Sequence, residues 1–227
     1  MPPDARSLRM AARAMHRHGL AHAYGHVSMR IDANHFLVTP AMPLGAVGVD
    51  DPGVLAPIDG ELPPGALPEV RIHREIYRRR ADVGGICRVQ PPALMALSAL
   101  GETPRALHGP GTYFAPQPPL WRDVALVRDD ARARDVAVML GDAAAIVLSG
   151  NGCVVAGATV EAAAALTYFL EDAARIELAL LPARAAGIHP RVYDAAQVRA
   201  RAITAGGLFE RMWAYLCLQD QEWEQAA

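Results

Sequence analysis

The 227-residue chain contains no lysine: all 22 of its basic side chains are arginine. That absence excludes enzymes that form a lysine Schiff base, enzymes that link pyridoxal phosphate covalently, and lysine-dependent P-loop nucleotide hydrolases. Cysteine is scarce too. Cys87, Cys153 and Cys217 are widely spaced, odd in number and form no C-x-x-C pair, which excludes a disulfide framework and a cysteine-rich zinc site. No apolar run reaches bilayer length, and the Ala-rich stretch 157–170 carries Glu161. The N-terminus holds Asp and Arg with no apolar segment of the secretory kind, so a cytoplasmic protein without a membrane partner is expected. Charge of one sign is also lacking. The 22 basic residues are balanced by 24 acidic ones, and no nucleic-acid partner is expected from a chain without a basic excess.

What is present is a folded-domain composition, with 52% hydrophobic and 20% charged residues. The length suits one domain, read here as residues 1–227, and a chain of this size buries roughly 70% of its unfolded surface without staples. Leu8, Ala11, Ala12 and Met15 recur at helical spacing over 4–18, with Asp4 as N-cap and Gly19 as stop. Residues 26–31 and 35–39 read as strands joined by a turn at Asp32-Ala33-Asn34. The Pro/Gly-dense stretch 40–68 reads as loops and edge strands, and 69–80 as a helix with Val70, His73, Ile76 and Tyr77 on one face. Further on, the pattern predicts a strand at 84–89, helices at 92–100 and 129–141, and strands at 144–149 and 153–156 around a Gly150-Asn151-Gly152 turn. Two long helices follow, at 159–181 and 191–224. Helices flanking a strand-rich middle predict a mixed α/β domain with a central sheet covered by helices.

Several familiar motifs fail. Gly109-Pro110-Gly111 lacks the third glycine and the strand–helix setting of a dinucleotide fingerprint. No serine stands in a G-x-S-x-G elbow, and His73-Arg74-Glu75 is not an H-E-x-x-H zinc helix. His18, His22 and His26 are four apart, but Gly19 and Gly25 interrupt any helix that would align them. His16, His18 and His22 are therefore expected to be surface or structural residues.

Three stretches, taken together, resemble the class II aldolase/adducin family. The first runs Gly19-Leu20, Tyr24-Gly25-His26-Val27-Ser28-Met29-Arg30, then Phe36-Leu37-Val38-Thr39-Pro40. The second is Glu69 followed by His73, Ile76 and Tyr77, then Arg80 and Asp82-Val83. The third is Gly150-Asn151-Gly152-Cys153-Val154-Val155-Ala156-Gly157, with Glu161-Ala162 behind it. The resemblance covers roughly residues 8–181. It implies a three-layer fold with a mainly antiparallel central sheet flanked by helices, a homotetramer, and a divalent metal held by a His-x-His pair and a third histidine. Here the corresponding positions are Arg88, Gln90 and Asn151. Arginine only donates and cannot ligate a cation, and amide carbonyls are weak ligands. The expectation is therefore a chain with no metal and no other cofactor. The family's phosphate-binding positions hold His26, Ala41-Met42 and Leu67-Pro68, which argues against a phosphorylated sugar.

Glu69 matches the carboxylate that, in the family, moves a proton to or from the carbon acid; without function it would only complement a helix dipole. Two readings of Arg88 stay open. It is either a fixed cation that binds a carboxylate or enolate, with Gln90 and Asn151 hydrogen-bonding the same oxygens, or the partner of Glu69 in a dead site. His26 is expected to join Glu69 and Arg88 in catalysis, and His108 and Tyr113 to contact substrate with Gln90 and Asn151. The resulting expectation is a carbon–carbon lyase, a decarboxylase or retro-aldol enzyme, acting on an unphosphorylated hydroxy- or oxo-carboxylic acid. The alternatives are a non-catalytic adducin-like binding or scaffold protein, or a recruited isomerase, cyclase or oxygenase. Whether Glu69 and Arg88 face an open pocket or close on each other separates the catalytic from the degenerate reading.

Overall fold

Alternate residues of a strand point to opposite faces of its sheet, and strands with apolar residues at consecutive positions need cover on both sides. The computed structural model, which describes residues 4–224, shows that cover. Its strands are β1 (His26–Arg30), β2 (His35–Val38), β3 (Val54–Pro57), β4 (Gly85–Val89), β5 (Leu120–Trp121), β6 (Ala145–Leu148) and β7 (Gly152–Gly157). They form one seven-stranded sheet in the order β3-β2-β1-β4-β7-β6-β5, antiparallel throughout except for the parallel β5–β6 pair. The mainly antiparallel sheet predicted from sequence is present, with the short β5 as an addition.

On one face, Val27, Cys87, Val89, Val147 and Val155 pack under α1 (Arg6–Arg17), α3 (Pro92–Ala99) and the long α5 (Val160–Ala185). On the other, Phe36, Ile86, Ile146 and Val154 pack under α2 (Arg71–Arg79) and α4 (Asp130–Leu140). Glu69 lies in a 3-10 turn, Pro68–Val70, that leads into α2. α4 and α5 carry their own N-caps, Asp129 and Thr159. α3 opens on two prolines and has none. The buried Glu171 of α5 instead accepts the Ala93 and Leu94 backbone N–H groups at 3.0 and 2.9 Å.

Two sequence expectations need correction. Ala5, not Asp4, holds the cap position of α1, although the Asp4 carboxylate accepts the Arg6 backbone N–H at 2.9 Å. The single helix expected over 191–224 is three: α6 (Ala195–Arg201), α7 (Leu208–Cys217) and α8 (Gln221–Glu224). Gly206 and Gly207 take positive φ of 80° and 67°, which no helix continues through. The segment after α7 is fastened back on α1. Arg13 donates from Nε and Nη2 to Asp220 at 2.9 and 2.7 Å and from Nη2 to Glu222 at 2.7 Å, and Arg9 reaches Glu222 at 2.6 Å. Among the described residues no helix is long and apolar enough to cross a membrane.

Candidate active site

The order β2-β1-β4-β7 lays the ends of β1, β4 and β7 side by side, and their polar residues meet there. His26, first in β1, is the direct antiparallel partner of Arg88 in β4. Directly opposed residues project to one face, within about 5 Å at Cβ. Gln90 follows β4, and Asn151 stands in the turn before β7, close enough for Gln90 Nε2 to donate to Asn151 Oδ1 at 2.8 Å. Two glycines allow this convergence. A Cβ on Gly152 would lie 2.0 Å from the Val89 carbonyl oxygen, and one on Gly25 would lie 3.0 Å from that of Arg88; both residues also hold positive φ.

These residues line a cleft of about 560 Å³, within the range of small-molecule sites. Glu69 comes in from the 3-10 turn before α2 and Arg128 from the loop before α4, while Tyr24, Met42, Leu67 and Leu126 form the apolar walls. Glu69 and Arg88 both face the cleft, and they are not closed into an ion pair: Glu69 Oε1 accepts instead from Arg128 Nε at 2.8 Å. Arg88 is only 6% exposed, its Nε is buried with no hydrogen-bond partner, and among the described residues no carboxylate pairs with it. Burial lowers its pKa from the ordinary value, against the pull of Cys153 and Glu69, but a guanidinium stays charged. A buried cation that opens on a cleft without a carboxylate partner has the chemistry to hold an anion.

Behind His26 lies a buried polar chain. His26 Nδ1 is 2.7 Å from His73 Nε2, His73 Nδ1 is 2.5 Å from Ser28 Oγ, and Ser28 Oγ is 2.8 Å from the Tyr77 hydroxyl. Glu69, His73 and Tyr77 follow one another at four-residue steps, so they form one stripe toward the sheet. Burial, then the neighbouring His73 and Arg88, holds His26 well below the ordinary histidine pKa. Burial and Arg88 push His73 down to about 3. Both rings are therefore neutral near pH 7.

The donor set does not suit a divalent cation. Arg88 would repel one, Gln90 and Asn151 engage each other, and both nitrogens of His73 and one of His26 are occupied within the protein. Among the described residues no group of three or more His, Cys, Asp or Glu side chains could hold a metal.

The expected residues thus divide. Glu69, Arg88, His26, Gln90 and Asn151 are brought together, whereas His108 and Tyr113 are not. Tyr113 lines a separate cavity of about 730 Å³ with Phe209 and Trp213, and its hydroxyl donates to the Ile203 carbonyl at 2.6 Å. Both His108 ring nitrogens are buried without a partner among the described residues, and His108 does not line the cleft. The loop between α3 and α4 that carries these two residues passes over α5 rather than toward the ends of β1 and β4. Sequence reasoning missed Arg128, 59 positions from Glu69 and marked by no motif. It also treated Ser28 and Tyr77 as family pattern and His73 as packing. The four-residue step from Glu69 to His73 to Tyr77 was the available signal for the chain behind His26.

Comparison with known proteins agrees with this architecture. A 3,4-dihydroxyphthalate decarboxylase from Terrabacter sp. is 28% identical over 192 residues, which span 76% of this chain and 79% of that protein. The crystal structure of an aldolase II superfamily protein from Pseudomonas syringae superposes with a TM-score of 0.77 at 21% identity, covering 97% of this chain and 92% of that one. The L-fuculose 1-phosphate aldolase of Glaciozyma antarctica gives 0.75 at 23% identity, covering 96% and 92%. The family model for the class II aldolase and adducin N-terminal domain matches residues 6–178, three quarters of the chain, and this chain belongs to that family.

Proposed function

We propose that this chain is a carbon–carbon lyase that decarboxylates an unphosphorylated hydroxy- or oxo-carboxylic acid, aromatic acids included, without a divalent metal. The observation that carries the reading is Arg88, a buried cation without a carboxylate partner, set across an open cleft from Glu69. The similarity to proteins named 3,4-dihydroxyphthalate decarboxylase supports the same class of substrate.

The step needs an electron sink beside the bond that breaks: a β-oxo acid carries one as its ketone, and a phenolic or enolic hydroxyl on the adjacent carbon supplies one by tautomerising. For the phenol or enol, the Glu69 carboxylate takes the hydroxyl proton and returns it to the unsaturated carbon that bears the departing carboxylate, which leaves a ketone next to that carbon. The C–C bond then breaks, CO₂ leaves, and the electron pair flows onto the ketone oxygen, which is quenched by solvent. Glu69 ends as it began. Interactions that strengthen in the transition state accelerate this step, so Arg88 serves best on the oxygen that gains charge. The departing carboxylate lies against the Met42, Leu67 and Leu126 walls, where desolvation favours loss of its charge.

The active assembly is read as a homotetramer, in line with the family and with exposed apolar residues of the C-terminal region such as Tyr215 and Leu218. Three free, buried cysteines fit a reducing compartment such as the cytoplasm.

The test is CO₂ release from 3,4-dihydroxyphthalate and from a panel of ortho-hydroxybenzoates and β-oxo acids. Turnover of at least one is expected, unchanged after dialysis against a chelator and reduced about a hundredfold or more in Glu69→Gln. Activity lost to the chelator and restored by zinc or manganese would overturn the metal-free reading. No turnover of any acid in the panel would overturn the lyase.

A further inference from the structure

The chain behind His26 has a direction, and hydrogen-bond bookkeeping fixes it. Tyr77 is buried, and among the described residues its hydroxyl meets only Ser28 Oγ. His26 Nδ1 either donates or accepts. If it donated, His73 would donate from Nδ1 to Ser28, whose hydroxyl would then either donate to Tyr77 or accept from Tyr77 as well. Either the Tyr77 or the Ser28 hydroxyl proton would be buried with no acceptor in the chain, which costs more than an idle lone pair. In the opposite orientation every proton has an acceptor. Tyr77 donates to Ser28, Ser28 to His73 Nδ1, and His73 Nε2–H to His26 Nδ1. With Nδ1 accepting, the proton of a neutral His26 sits on Nε2. Among the described residues that nitrogen has no partner, yet it is not among the buried unpartnered atoms, so it opens on the cleft that His26 lines.

We propose that His26 presents a fixed Nε2–H to the cleft beside the Arg88 guanidinium, locked by the Tyr77–Ser28–His73 chain, and that the two together form the hole for the oxygen that becomes negative. On this assignment His26 is a donor and not a general base, and Ser28, His73 and Tyr77 are positioning residues. The arrangement suits a neutral imidazole: Arg88 is its cross-strand neighbour, and the nearest carboxylate of the cleft, Glu69, is held by Arg128. A second full positive charge beside Arg88 would have nothing to balance it. The binding role rests on the function proposed above, whereas the proton assignment does not.

The experiment is nitrogen NMR of the full-length protein labelled with ¹⁵N-histidine, with His26 and His73 assigned from His26→Gln and His73→Gln. Both rings are expected to be neutral, with Nε2 protonated and Nδ1 bare, and to stay so between about pH 5 and pH 8, where free histidine titrates. A proton on His26 Nδ1, or a His26 that becomes doubly protonated in that range, overturns the proposal whatever the substrate. Ser28→Ala removes the link that sets the direction and should turn the single tautomer into a mixture. A purely structural serine would leave the tautomer unchanged.

Phthalate is then added as the probe anion. The expected outcome is a shift of the His26 Nε2 signal, with affinity reduced about tenfold or more in His26→Phe and partly restored in His26→Gln, which keeps a neutral N–H. With a substrate in hand, His26→Phe should lower kcat about a hundredfold, the usual cost of one such donor. The correct tautomer with no response to phthalate or to any turned-over acid would overturn the anion hole, while leaving intact the proton assignment and the lyase reading, which CO₂ release tests separately.

Discussion

Arg88 illustrates a conflict at the scale of one residue. A guanidinium at 6% exposure with an orphaned Nε is a cost to the fold, since a buried charge without a partner destabilises the state that contains it. Arg88→Met keeps the aliphatic stem and removes the charge. Its thermal midpoint is expected to equal or exceed that of the parent, while phthalate binding and turnover fall by a hundredfold or more. A clear drop in the midpoint would mean that Arg88 belongs to the framework and not to the site. The type of residue at this position was legible in the sequence, because the resemblance put an arginine where a metal ligand belongs. Its lack of a partner was not legible. That depended on Arg128 claiming Glu69 from 59 positions away, and spacing carries no such information.

At the scale of elements, local pattern determined the central strands and α2, where short apolar runs bounded by turn residues and four-residue steps mark them. It failed where the deciding contact is distant. α3 begins with two prolines and no capping side chain of its own, and its cap arrives from Glu171 in the middle of α5. Glu171→Ala is therefore expected to cost about 1–2 kcal/mol, the range of a lost N-cap, seen as a lower urea midpoint at unchanged slope. No change in midpoint would show that solvent or the α3 backbone satisfies those two N–H groups instead. The last helices were misread for a different reason. Residues 191–224 read as one helix only if Gly206-Gly207 is ignored; that pair divides α6 from α7, and Gln219, also at positive φ (67°), stands between α7 and α8. β5 escaped notice because two residues are too short for any period.

For the molecule as a whole, the first and last helices are joined by the cluster of Arg9, Arg13 and Arg17 with Asp220 and Glu222. Burial alone would raise the Asp220 pKa, but hydrogen bonds from Arg13 and the Glu222 backbone outweigh it and leave the carboxyl below its ordinary value. A carboxylate depressed in the folded state stabilises above its unfolded pKa, about 3.9, and that contribution disappears as pH falls through the lower folded value. Asp220→Asn leaves the Arg13 charge without its main partner and should cost about 3 kcal/mol at neutral pH. The loss should shrink as the parent is acidified below about pH 4. Calorimetric melts of both proteins across that range test this, and a deficit that does not change with pH would sink the assignment. The sequence offered the three arginines at four-residue steps on α1, but nothing in it named their partners some 200 positions later.

The same cluster has a topological consequence. Arg6 donates to the Glu222 carbonyl, so the two ends of the described chain leave the molecule as neighbours. A short linker from the end of α8 to the start of α1 would span that gap, and new termini can be opened at the exposed Gly187 turn beyond α5, which does not line the cleft. Such a permutant would keep every strand pairing while turning the arginine cluster from a clasp between distant parts of the chain into a local joint.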